Sequence, residues 1–385
     1  MMPDPRTFPA ASSASPGDQA LYRLAEACLG AETGLSADVH GRELRQALAR
    51  QLRGDGTALA ATIGGAPSVA VARLLWRLLD AEWRDATLEG ASGVAVTLFA
   101  IPLVVVVGSE QRTDSGAIPG VLADCAALGA ILMEHGALAG NRSVAIANVL
   151  VGPDGVDLAR LPALLEWQRL PDALAAHVSD RVRNLVPAPL AYRIDGERVH
   201  LRFLVGTAIA KPGLDLLAEA SVGKWGTAMT QELGRQMGRS HLPVLALPRA
   251  PQYPLRALQQ GRAAQREVSA QVFTSNAIRH LRARVGEPVA VLSAHRAADA
   301  PGGGELRLSL SSPFEPRDAE GFRCPLFALD RVDDVATMLL DLLRDCRMTD
   351  VRVLRGIYPD RAPGTGLPLL FKPDTIPDGE GGVVH

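Results

Sequence analysis

The stretch Ser109-Glu110-Gln111-Arg112-Thr113-Asp114-Ser115-Gly116 brings a carboxylate pair, a guanidinium and several hydroxyls together within a few residues. It follows an intensely apolar run and precedes a helical pattern. That order puts it at the carboxyl end of a buried strand, where open α/β sheets collect their ligands. The following helix start adds backbone N–H groups that attract anions. Glu110, Arg112, Asp114 and Ser115 are therefore the candidate catalytic or anion-binding residues. The same residues also suit an exposed connection that caps the next helix.

Lys224 is the second candidate. The chain carries 40 basic residues, and its only lysines are Lys211, Lys224 and Lys372. A lysine kept where arginine is the rule can serve an amine that loses its proton or approaches a phosphate closely. Yet Gly223-Lys224 lacks the upstream glycine of a P-loop and is followed by Trp225 rather than Ser or Thr, so Walker-type nucleotide binding is not expected. A helix start with a snorkelling lysine accounts for the same residues.

A third group is defined by charge. Arg249, Arg256, Arg262, Arg266, Arg279, Arg282 and Arg284 stand against Glu267 alone within 249–286. Arg256, Arg262, Arg266, Arg279 and Arg282 are taken as an interaction surface for an acidic protein partner or, as the weaker expectation, for nucleic acid. A solvated face balanced by the acidic stretch 330–345 explains the pattern equally simply.

Other chemistries lack their motifs. The histidines are scattered without HxH, HxxxH or HExxH spacing, and Cys28, Cys125, Cys324 and Cys346 form no CxxC pair. No metal site or disulfide framework is expected. Neither a GxSxG elbow nor a GxGxxG fingerprint occurs, so no cofactor is expected. Asp333-Asp334 and Asp341/Asp345 read as a helix start and a solvated face rather than as magnesium ligands.

The elements that position these groups follow from periodicity. Of the 385 residues, 47% are hydrophobic, 21% charged and only 4% aromatic, so an aliphatic core of ordinary globular size is implied. The scarcity of aromatics disfavours a stacking groove for single-stranded nucleic acid. A net charge of -2 creates no global field for phosphate backbones or anionic lipid. Gly90 to Ser109 is free of charge and long enough to span a bilayer. Its valine content, Pro102 and flanking acids Glu89 and Glu110 instead predict one long or two short buried strands with a bulge at Pro102. The N-terminus has no apolar run of the signal-peptide kind, so a cytoplasmic protein without membrane insertion is expected.

Residues 1–16 are expected as a flexible arm, 17–86 as three helices, 87–250 as a central α/β region, 251–358 as a C-terminal α/β region with a long Arg-rich helix, and 359–385 as a Pro/Gly-rich tail. The fold class is α/β: a helical N-terminal layer followed by parallel or mixed sheet units with covering helices. The function expected is that of a non-enzymatic assembly or scaffold subunit working through protein–protein contacts or self-assembly. The alternatives are an enzyme or anion binder at Ser109–Ser115 and a nucleic-acid-associated protein using 249–286.

Overall fold

The valine-rich run forms strand β1 (Val96–Val106) in the computed structural model of the chain. The structure describes residues 16–52, 56–88, 96–106, 122–135, 138, 143–160, 164, 199–209, 222–236, 244–246, 251–297, 304–312, 319–327, 329–358 and 381–384. No described helix is long and apolar enough to cross a membrane.

The described residues of Met1–Glu32, Thr62–Leu75 and Arg266–His385 form one compact unit, and those of Thr33–Ala61 and Trp76–Gln265 form another. The division runs inside helices. The N-terminal region supplies α1 (Pro16–Leu29), α2 (Gly34–Leu52), α3 (Gly56–Gly64) and α4 (Val69–Leu88), so the short apolar stretch after Gly56 is a helix of its own beyond the three expected. Within the first unit, Thr62 ties α1 to α3. Its hydroxyl donates to Asp18 Oδ1 (2.5 Å), and its carbonyl accepts from the Tyr22 hydroxyl (2.5 Å).

In the second unit, β1, β2 (Ser143–Val151), β3 (Val199–Ile209) and β4 (Val244–Ala246) form a sheet of order β2-β3-β1-β4. Every pair in it is antiparallel. The central sheet is thus antiparallel, although its strands alternate with helices along the chain. One face carries Phe99, Ile101, Leu103 and Val105 of β1 with Leu204 and Ala208 of β3. They pack against Leu128 and Leu132 of α5 (Cys125–Glu134) and Trp225, Met229 and Leu233 of α6 (Val222–Gln236). The two helices are joined where Gln236 Nε2 donates to the Asp124 carbonyl (2.7 Å) and Asp124 N–H donates to Gln236 Oε1 (3.0 Å).

On the opposite face lies the beginning of the 32-residue helix α7 (Pro254–Val285), whose residues up to Gln265 belong to this unit. At Gly261 a Cβ would stand 2.9 Å from both Leu201 Cδ1 and Pro102 Cβ, so glycine lets the helix approach the sheet. Residues 97–105 of β1 are buried throughout, as expected of a strand covered on both faces. Each such Val, Leu, Ile or Phe side chain contributes about 1.5–3 kcal/mol.

No bulge marks Pro102. The β1–β3 register runs without a break from Val96↔Ile209 to Val106↔Val199, with Pro102 opposite Phe203. The reason is the direction of the missing N–H. Ala100 exchanges both of its backbone hydrogen bonds with Gln252 rather than with β3. Backbone groups alternate sides along a strand, so Pro102 also faces away from β3 and interrupts no bond in that ladder.

In the first unit, β5 (Val289–Arg296), β6 (Gly304–Ser311), β7 (Ala319–Pro325), β8 (Val351–Tyr358) and β9 (Gly381–Val384) form a mixed sheet of order β7-β6-β5-β8-β9. Only β5 and β8 run parallel. Residues 381–384, expected within the tail, are its edge strand. Ala290, Leu292, Ala294, Leu306, Leu308 and Leu310 pack against Ala277, Ile278 and Leu281 of α7 and Val335, Ala336, Leu339 and Leu343 of α8 (Val332–Asp345). Gly286, at φ 85°, ends α7 in the left-handed conformation that glycine tolerates. Gly356, at φ 94°, lies where β8 makes four steps to two on β5.

Candidate interaction surface

The loop Ser109–Gly116, and with it Glu110, Arg112, Asp114 and Ser115, lies outside the described residues. What the structure fixes is the sheet end from which it departs. Val105 and Leu103 are paired with His200 and Arg202 of β3, so that end carries two basic side chains buried to 8% and 5% exposure. Arg202 Nη1 donates to the Leu201 carbonyl (2.7 Å). Lys224 lies in the first turn of α6, and its side chain is outside the described residues. Gly223 and Gly226 lie inside that helix without interrupting it, because Trp225 and Met229 anchor it to the core.

The arginines of α7 do not share one solvent face. Arg266 forms an ion pair with Asp330 at 10% and 18% side-chain exposure, through two hydrogen bonds from its guanidinium. Asp330 also accepts from Phe327 N–H (2.8 Å), and its carbonyl accepts from Arg73 Nη2 (2.9 Å). Arg282 donates to the carbonyls of Cys346 and Arg347 (3.1 Å each) and to Glu287 Oε2, so it closes the C-terminal end of α8. Arg262 is half-buried and lowers the carboxyl pKa of Asp157, against the larger upward push from burial. Arg256 and Arg279 are exposed. Arg249 lies outside the described residues. Two of the helix's charges, Arg266 and Arg282, thus hold the turn before α8 and its C-terminal end, while Arg256, Arg279 and Arg284 are exposed.

Sequence reasoning missed a polar network on the face of the β5-β6-β7 sheet opposite α7 and α8. Ser293 Oγ and His295 Nε2 lie 2.9 Å apart, and the register sets His295 directly across from Glu305. Glu305 is 2% exposed and accepts from Arg307 Nε (2.5 Å) and Arg323 Nε (2.8 Å). The ring of Tyr358 lies 5.5 Å from that of His295. A serine beside an imidazole is the start of a nucleophile–base arrangement. Here Ser293 is 1% exposed and both carboxylate oxygens of Glu305 are bound by guanidinium groups. Glu305 is thus a buried carboxylate compensated by two guanidinium groups, one nearly buried and one exposed, the form in which a buried charge is tolerated.

Among the described residues, no group of three or more His, Cys, Asp or Glu side chains is placed to hold a metal ion. Asp333 and Asp334 occupy the first turn of α8, and Asp341 pairs with Arg344. No disulfide joins the four cysteines.

Among the described residues, the exposed large apolar side chains lie elsewhere. Leu29 ends α1 at 48% exposure, and Leu35 and Val39 of α2 are exposed to 75% and 38%. Leu35 and Val39, four residues apart, share one face of the helix. From Gly34 to Glu43 no residue of α2 is buried; the buried stripe begins at Leu44 and continues through Leu48 and Leu52. The start of α2 is held by local capping, with Thr33 Oγ1 accepting from Ser36 N–H (3.2 Å). No family model, curated protein or solved structure matches the chain.

Proposed function

We propose that the protein is a non-enzymatic assembly subunit of the cytoplasm that self-associates through the exposed beginning of α2. The observation that carries this reading is the stretch Gly34–Glu43, which is helical, has no fully buried residue and presents Leu35 and Val39 to water. The packed half of α2, from Leu44 to Leu52, holds this stretch helical, and clustered exposed apolar side chains mark contact sites. The flanking charges, Asp38 and Glu43 with His40, Arg42 and Arg45, are mixed in sign. A face of that kind complements a second copy of itself, and a twofold pair is the commonest closed arrangement.

The other two readings have less support. Arg266 and Arg282, which a nucleic-acid surface needs free, are bound within the protein. The enzyme or anion-binder reading rests on Ser109–Ser115, which lie outside the described residues. Four cysteines without a disulfide suit a reducing compartment.

Size-exclusion chromatography with light scattering over a range of concentrations tests the proposal. The wild-type chain is expected to elute as a multimer that dissociates on dilution. Leu35→Glu with Val39→Glu is expected to elute as a monomer with the thermal midpoint of the diluted, dissociated wild type, since neither side chain belongs to the core. A wild-type chain that stays monomeric at every concentration overturns the reading.

A further inference from the structure

Ser275, Ile278, Arg279 and Arg282 recur at the spacing of one helix face of α7. With Cys346, the residue that ends α8, they line a cavity of about 350 Å³. That size lies at the lower end of the range for small-molecule sites. Its wall is prepared in advance. The Arg282 guanidinium is fixed by the Cys346 and Arg347 carbonyls and by Glu287, so it loses no further freedom when a ligand arrives. The same bonds satisfy carbonyls at the C-terminal end of α8, which would otherwise repel a negative charge. Glu287 balances Arg282.

Arg279 lies one turn away and is different. It is exposed, its Nη2 donates to Asn276 Oδ1 (3.0 Å), and no carboxylate pairs with it among the described residues. The cavity therefore offers one uncompensated guanidinium, a serine hydroxyl, an apolar floor from Ile278 and a thiol.

We propose that this cavity binds a small ligand carrying a single oxyanion group, phosphate or carboxylate, with Arg279 and Ser275 as its contacts. A guanidinium presents two parallel N–H donors to such a group, and the hydroxyl adds a third. This site lies apart from the α2 surface and does not depend on self-association.

Cys346 makes the site readable. The full-length protein is treated with iodoacetamide at constant ionic strength, with and without inorganic phosphate or acetate, and alkylation of Cys346 is followed by peptide mass spectrometry. At a probe concentration ten times its Kd, occupancy is expected to slow Cys346 alkylation about tenfold. The exposed variant Arg279→Gln is expected to keep its fold and lose the protection. Preference for phosphate or for acetate identifies the anion. Titration calorimetry on wild type and Arg279→Gln reads the same occupancy independently of thiol reactivity. The proposal is overturned if neither probe slows alkylation or releases heat in the wild type. Equal protection of Arg279→Gln, or equal protection by chloride, overturns it as well.

Discussion

Cys324 and Cys346 are separated by burial. Burial pushes the Cys324 thiol up to about 12, with Arg266 pulling it down and Asp330 and Glu305 pushing it further up. Cys346 is half-buried at the end of α8. In the native protein at mildly alkaline pH, Cys324 is expected to resist alkylation while Cys346 reacts, and both are expected to react at similar rates in denaturant. Peptide mass spectrometry after a short pulse of reagent distinguishes them. Fast native labelling of Cys324 would mean that the β6–β7 core opens readily.

Asp157 supplies a pH-dependent test at the same scale. Burial raises its carboxyl pKa most, the Ala159 N–H lowers it, Asp154 raises it and Arg262 lowers it. The net shift is upward, so the folded chain holds this proton more tightly than the unfolded one. Its contribution to stability is present at acid pH and declines as pH rises from the ordinary Asp value to the folded value. Asp157→Asn keeps an acceptor for the Ala159 N–H (3.0 Å) and removes the buried charge. A higher urea midpoint at neutral pH is expected, with little change in acid. A lower midpoint at neutral pH would mean that attraction to Arg262 outweighs burial.

At the scale of elements, close approaches and clamps decide which packing survives. A Cβ at Gly206 would lie 2.6 Å from the Ala145 carbonyl oxygen and 2.6 Å from Phe99 Cζ. Backbone cannot yield as a side chain can, so Gly206→Ala is expected to cost about 1–3 kcal/mol, read as a lower urea midpoint. Asp330→Ala leaves Arg266 mostly buried without its carboxylate and removes the acceptor for Phe327 N–H. A loss of about 3 kcal/mol is expected, the lower end for breaking such a pair. An unchanged midpoint would place the pair outside the folding core.

Much at this scale was legible in sequence. Pro254 at the start and Gly286 after the end bracket α7, whose expected span matches the observed one. Strand pairing was not legible, because β3 enters between β2 and β1 through contacts far apart in the chain. Nor was the polar face of β6. Glu305, Arg307, Ser309 and Ser311 alternate with leucines in the pattern of a half-solvated strand, yet Glu305, Ser309 and Ser311 are buried. Alternation reveals that a strand has two faces, not whether a further layer covers the polar one. For Arg266 the expected counter-charge from 330–345 is present in Asp330, whereas Arg282 meets the carbonyls of Cys346 and Arg347, backbone partners some sixty residues onward that no side-chain type announces.

For the molecule as a whole, the valine-rich run holds the interior of an antiparallel sheet, and among the described residues the exposed large apolar side chains lie early in the chain. Leu35 and Val39 were hidden in sequence by continuity. They precede Leu44, Leu48 and Leu52 in one helical segment and look like further core positions. Only solvent exposure separates the two halves of α2.

Amide hydrogen exchange across Gly34–Glu43 tests self-association at this surface most directly. In concentrated, assembled protein these amides are expected to be protected, and on dilution to monomer they are expected to exchange quickly while those around Leu48 stay slow. Exchange in Gly34–Glu43 that is equally fast at both concentrations, in a sample whose mass has changed, would contradict the assignment of the contact to α2.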